Sequence, residues 1–200
     1  MKKRENSGNA DLKGRVYEYL KENLSAKRLK HTENVGKTAR KLAEKYGEDP
    51  EKAELAALFH DMYRELSGNE LESYITKYGL ENSRYSTGIE LAHGKLAAAA
   101  MRKEYGITDD DMINAVSFHT TGRAGMSGLE KILFMADAVE PGRNYPGVES
   151  LRKVLQEDLD CACLTALRNT INFLKEKNVR VDPDTTEAER YFSNKRKRMK

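Results

Sequence analysis

The chain has four histidines, His31, His60, His93 and His119, and each lies in or beside a segment with helical periodicity. Asp61 follows His60 directly, and Asp137 stands in an otherwise apolar run, Ile132-Leu133-Phe134-Met135-Ala136-Asp137. A buried carboxylate without a partner costs several kcal/mol, so it needs a cation or strong donors beside it. Imidazole and carboxylate form the donor set of iron, manganese, zinc and related first-row ions. A metal would compensate the acids while neutral imidazoles hold it. Taken singly, each residue reads as an ordinary structural polar group; pooled, the six point to a metal site.

Such a site needs helices to carry it. Val16, Tyr17, Tyr19 and Leu20 mark a first amphipathic stretch. Ser25 is a good N-cap for a second, with Leu29, Val35, Ala39, Leu42, Ala43 and Tyr46 at three- and four-residue steps and a stop at Gly47. Asp49-Pro50 then opens a helix that is apolar nearly all round, Ala53 to Phe59, and ends in His60-Asp61; that pattern predicts a central helix. Gly68-Asn69 reads as a break before a short helix through Leu71, Tyr74 and Ile75, and Glu81 to Thr87 as a polar loop. An alanine-rich helix runs from Ile89 to Tyr105 through His93. Thr108 is the expected cap of the next, which ends near His119. A glycine-rich turn from Thr120 to Gly128 precedes the helix of Asp137, and Val148 to Lys177 supplies one or two more. With no strand series and no repeat, the fold class is all-α, a single helical bundle. Bundles build metal sites from side chains on facing helices. Adjacent His60 and Asp61 diverge by about 100° on a helix, so they share an ion only if the helix end faces it.

Two hundred residues suit one domain, and 34% charged residues give it a very polar surface. No apolar run approaches the roughly 20 residues of a membrane span, and the N-terminus is too polar for a secretory signal. The formal charge of +3 misleads. Lys2, Lys3 and Arg4 at one end, with Lys195, Arg196, Lys197, Arg198 and Lys200 at the other, hold more positive charge than that, so the body is mildly acidic. We expect a disordered basic N-terminal tail at 1–10, the folded domain at 11–192 and a basic C-terminal tail at 193–200. A solvated end is the bland reading of the C-terminal run, and nucleic-acid contact the rival. Cys161 and Cys163 suit neither a disulfide nor a zinc knuckle and read as small buried residues in a reducing cytoplasm.

The order H…HD…H…H…D resembles the HD-domain phosphohydrolase superfamily and, more closely, the bacterial YqeK family. The matching stretches are Arg28-Leu29-Lys30-His31-Thr32-Glu33-Asn34-Val35, Ala56-Ala57-Leu58-Phe59-His60-Asp61, Leu91-Ala92-His93-Gly94, His119-Thr120-Thr121-Gly122-Arg123 and Met135-Ala136-Asp137-Ala138-Val139-Glu140-Pro141-Gly142-Arg143. The last two are the most specific. The resemblance implies an HD-domain bundle that hydrolyses diadenosine tetraphosphate symmetrically to two ADP. It implies His31, His60, Asp61 and Asp137 as metal ligands. His93 and His119 then complete a second metal position or contact phosphate, and Asp61, His93 and His119 are the catalytic candidates. Two metals about 3.5–4 Å apart, bridged by Asp61, would be a familiar phosphatase arrangement, with water made acidic enough to attack phosphorus near neutral pH. The expected cofactor is iron, mono- or dinuclear, with manganese or another divalent metal as the alternative.

Cations for the phosphates are expected at Arg143, whose fork can take two oxygens, and at Arg64, which stands where the family usually has lysine. Arg123 in the glycine-rich turn and Arg180 ahead of Asp182-Pro183 are further substrate contacts to test. No glycine-lysine phosphate loop is present. Two rival readings stand beside this one: an HD phosphohydrolase for another nucleotide, and a nucleotide-binding signalling module that recruits a partner through the basic tail. A homodimer through exposed tyrosines is an open alternative.

Overall fold

The computed structural model describes residues 2–198. Its helices are α1 (Lys2–Asn23), α2 (Ala26–Tyr46), α3 (Pro50–His60), α4 (Gly68–Tyr78), α5 (Ile89–Lys103), α6 (Asp110–Phe118), α7 (Gly128–Val139), α8 (Val148–Glu157), α9 (Leu159–Glu176) and α10 (Pro183–Arg198). A single 3₁₀ turn, Arg84–Thr87, precedes α5, and no strand occurs among the described residues. The all-α expectation holds.

The bundle is organised around α3. Ala53, Leu55, Ala56, Ala57, Phe59 and His60 are all buried on this 11-residue helix, which packs against α1, α2, α5, α6 and α7. Small alanines on several faces let neighbouring backbones come close. Its start is fixed as the sequence predicts: Asp49 accepts from the N–H groups of Glu51 (2.9 Å) and Lys52 (3.2 Å), with Pro50 in the first turn. A cap of this kind contributes about 1 kcal/mol. Ser25 caps α2 by accepting from Arg28 N–H, and Glu65, in the turn after α3, accepts from the Ser25 hydroxyl and N–H. Gly47 ends α2 in the left-handed conformation, φ 78°.

Three expected boundaries shift. The cap of α6 is Asp109, not Thr108: its carboxylate accepts from Asp111 and Met112 N–H, where a fully charged acceptor serves a helix N-terminus better than a hydroxyl. Gly68 is the first residue of α4 rather than a break, because Ser67 and Glu70 form a capping box ahead of it. The boundary at 192 falls inside α10, which continues to Arg198. Lys195 is held there by Asp160 at 2.6 Å, and Lys131 binds the same carboxylate at 2.9 Å. Residues 2–10 of the expected disordered N-terminal tail form the start of α1, though their side chains lie outside the described ones, and residues 1, 199 and 200 lie outside the described residues. Cys163 is buried, Cys161 is partly buried, and both are free thiols. No described helix is long and apolar enough to cross a membrane.

Candidate metal centre

Five helices converge on one buried point. His31 comes from α2, His60 and Asp61 from the end of α3, His93 from α5, His119 from the residue after α6, and Asp137 from α7. His60, Asp61, His93 and His119 are each at most 4% exposed. Their rings form a chain of edge-on contacts: His31 to His60 at 5.4 Å between centroids, His60 to His119 at 5.1 Å, and His119 to His93 at 4.9 Å. The four residues expected as metal ligands and the two expected to complete a second position or contact phosphate, His93 and His119, are therefore brought together.

They form two clusters of three. His31, His60 and Asp137 can each point one ligand atom to a common place, and Asp61, His93 and His119 can do the same. Asp137 Oδ1 lies 3.0 Å from His31 Nε2 and 3.9 Å from His60 Nε2. Asp61 stands between the clusters. Its Oδ2 faces His31 Nε2 (3.6 Å) and His60 Nε2 (3.4 Å), while its Oδ1 faces His93 Nε2 (3.2 Å) and His119 Nε2 (4.0 Å). One carboxylate thus offers an oxygen to each side.

The outer hydrogen bonds make the test of fit. Nδ1 of His60, His93 and His119 lies 2.6–2.7 Å from the carbonyl oxygens of Ala57, Ile89 and Val116 respectively. A carbonyl only accepts, so these Nδ1 atoms carry the proton and the Nε2 lone pairs face inward. His60 Nε2 is then buried with no hydrogen-bond partner. His93 and His119 bring two Nε2 atoms to 3.0 Å, with the Thr120 hydroxyl 3.2–3.4 Å from both. One hydroxyl proton cannot satisfy two facing lone pairs. Cations at these places would resolve both conflicts, and the residues present fit a divalent metal set of imidazole and carboxylate.

Electrostatics agree. Burial works to raise the Asp61 carboxyl, but His60 and His93 beside it hold it well below the usual carboxylate range. Asp137 is likewise held low against burial by His31, His60 and Arg143. Burial, with His93 and His60 nearby, pushes His119 down to about 3, so its imidazole is neutral and ready to ligate. Burial opposes a proton on His60, yet Asp61 and Asp137 raise its pKa overall. A place that favours positive charge against burial is one that would favour an ion.

The arginines divide. Arg143 pairs with Asp137 and donates from Nε to the Asp137 carbonyl at 2.8 Å, with Nη2 3.5 Å from His31 Nε2. Arg64 sits in the turn after Asp61, part-buried, with Glu90 3.7 Å away. Arg123 forks onto the buried Glu130 carboxylate at 2.7 and 2.5 Å, and Glu130 caps α7 with Ser127. The pair braces the turn ahead of α7. Arg180 is exposed in the loop between α9 and α10, and no contact among the described residues joins it to the histidines. Sequence reasoning missed Arg28, whose Nη1 donates to Asp61 Oδ2 at 2.7 Å. Its place three residues before His31 on α2 puts it on the same helix face, and that was the available signal. Thr120 and Glu140 were missed as well, although both lie inside the motifs that carry the resemblance.

An all-helical bundle with a buried centre of imidazoles and carboxylates defines the class: a helical metal-site protein of the kind that places its ligands on facing helices. The family model described as HD domain matches residues 28–142, a span that holds all four histidines and both aspartates. The chain belongs to the HD-domain family. It is 43% identical to "Bis(5'-nucleosyl)-tetraphosphatase, symmetrical" of Halalkalibacterium halodurans, over 86% of this chain and 92% of that protein. It is 39% identical to the protein of the same name from Bacillus subtilis, over 83% and 89%. A crystal structure from Clostridium acetobutylicum, described as a "predicted HD superfamily hydrolase involved in NAD metabolism", superposes with a TM-score of 0.85 at 41% identity, covering 91% of this chain and 97% of that one.

Proposed function

We propose that this chain is a metal-dependent phosphoanhydride hydrolase that cleaves diadenosine tetraphosphate symmetrically into two ADP. The observation that carries the reading is the Asp61 carboxylate set between two His-containing clusters with one oxygen toward each. Relatives at 38–43% identity that carry the tetraphosphatase name support the substrate. When bound, a divalent metal supplies Lewis acidity toward phosphate oxygens and toward water. In this reading His31, His60, Asp61 and Asp137 hold it, and His93 and His119 complete a second position through Asp61. Iron is the metal we favour, with manganese next, because the donors include no thiolate.

The remaining residues bind and orient. Arg28 and Arg143 each rest on one of the two site aspartates. When cations neutralise those acids, the part-exposed guanidiniums are left beside the site, with forked donors suited to phosphate oxygens. Arg64, in the turn after Asp61, is a third candidate. Burial of the clusters excludes bulk water and strengthens each of these interactions. Water adds to the second phosphorus from one adenosine, and the central bridging oxygen leaves with the other ADP.

The test is product identification on diadenosine tetraphosphate with iron- or manganese-loaded protein. ADP as sole nucleotide product is expected. AMP plus ATP would mean a different binding register, and no turnover with any divalent metal would overturn the enzyme reading. A dNTP, a cyclic dinucleotide, an alarmone and a pyridine dinucleotide belong in the same panel, the last because the similar crystal structure is described as involved in NAD metabolism.

A further inference from the structure

Glu140, just after α7, neither ligates nor binds substrate in the proposed chemistry, yet the turn is built around it. It is 2% exposed and both carboxylate oxygens are engaged. Oε1 lies 3.1 Å from His31 Nδ1. Oε2 accepts from Asn34 Nδ2 at 2.9 Å and from the Gly142 N–H at 2.6 Å. A Cβ at position 142 would stand 2.9 and 3.0 Å from the two oxygens, so only glycine lets the carboxylate lie against its own turn. Arg152 braces the same turn from α8, donating to the carbonyls of Val139 (3.0 Å), Glu140 (2.8 Å) and Arg143 (3.1 Å).

No other histidine of the centre is backed this way. His60, His93 and His119 give their Nδ1 protons to neutral carbonyls of their own chain segments. His31 gives its proton to a buried carboxylate on a different element. A full negative charge behind an imidazole fixes its tautomer and makes the opposite nitrogen a stronger donor. Arg143 on Asp137 and Arg28 on Asp61 Oδ2 both pair with carboxylate oxygens that face this cluster, and Glu140 supplies the negative charge that offsets them.

We propose that Glu140 is a positioning residue that locks His31 with Nε2 facing inward and strengthens it as a donor, so that the His31–His60–Asp137 position holds its cation more tightly than the Asp61–His93–His119 position. This rests on the metal-hydrolase reading and adds an order of affinity to it.

The experiment is calorimetric titration of metal-stripped protein with Mn(II), and with Co(II) so that visible absorption reports each coordination environment. Wild type should show two classes of site. His31→Ala should remove the tight class and His119→Ala the weak one; the reverse assignment overturns the proposal. Glu140→Gln should loosen the tight class by about 10–100-fold and leave the weak class within about threefold. Unchanged affinity in that variant, or equal loosening of both classes, overturns it. If Glu140→Gln loses its helical circular dichroism, Asn34→Ala decides instead. That variant keeps Glu140 but removes one donor holding it, and should loosen the tight class alone, by severalfold; no change refutes Glu140. Wild-type protein that takes up no ion sinks the metal-hydrolase reading itself, a result distinct from two normal ions that ignore Glu140.

Discussion

His31, His60 and Asp137 come from α2, α3 and α7, and two of the three have a charged group behind them: Glu140 under His31 and Arg143 on Asp137, with His60 on the Ala57 carbonyl. His93 and His119 come from consecutive helices, α5 and α6, and neutral groups hold them: two carbonyls and the Thr120 hydroxyl. The first cluster is fixed by electrostatics across the bundle. The second is fixed by how closely two backbones pass. Gly94 makes that passage possible, since a Cβ there would lie 2.9 Å from the Val116 carbonyl and 3.0 Å from the His119 ring. Two clusters of similar donors therefore answer to different kinds of damage, charge removal for one and added volume for the other.

Among the described residues Asp61 is the one carboxylate that faces both clusters, so Asp61→Ala should erase the contrast. We expect loss of both ions and a fall in turnover of at least about 10³-fold, the scale of removing electrostatic stabilisation from a buried site. Metal analysis with a steady-state assay checks this; full activity would refute the shared role. Gly94→Ala should break only the α5–α6 half. The added methyl must push His119 or α6 aside at a cost of about 1–3 kcal/mol. The bound-metal count should fall from two toward one, with the Co(II) signature of the His31 position intact. Equal loss at both positions would show that the halves are not separable.

Arg28→Gln tests the charged side from substrate. It leaves Asp61 without its guanidinium partner and should raise KM for the dinucleotide about 10-fold, with the metal count unchanged. An unaltered KM would restrict Arg28 to a structural ion pair. The smallest effect is expected at Lys95, on the outer side of the α5–α6 half. Its Nζ lies 3.4 Å from the Phe118 ring centroid and 4.5 Å from that of Tyr85, and donates to Ser117 Oγ. Burial pushes this ammonium down to about 8 from an ordinary 10.5. Between those pH values the unfolded chain binds more protons than the folded one, so wild-type stability rises with pH across that window. Lys95→Met should therefore stabilise the protein by about 1–2 kcal/mol at pH 7. That gain should shrink as pH climbs past 8 and vanish above 10.5. Denaturant melts across pH 7–11 measure it, and a gain constant with pH would refute the assignment.

Much of this was legible in the residues alone. The caps Ser25 and Asp49, the stop at Gly47 and the apolar band of α3 are local signals, set by neighbours a few residues away. Boundaries slipped where two capping residues were adjacent, as at Thr108 and Asp109, since the winner depends on the donors each can reach. The six residues of the centre were legible because ionisable groups in apolar helices demand an explanation. The Arg123–Glu130 pair was not legible, because a guanidinium in a turn looks the same in sequence whether its acid is a ligand's phosphate or the chain's own Glu130.

The sequence by itself determined that this is an all-helical chain with imidazoles and carboxylates inside, because periodicity, caps and the cost of burying charge act over short stretches. Only the tertiary structure decided that the six residues split into two clusters around Asp61, that Arg28 joins them, and that Glu140 stands behind one histidine alone. Those are distances between helices, and they depend on which backbones pass closely enough to touch.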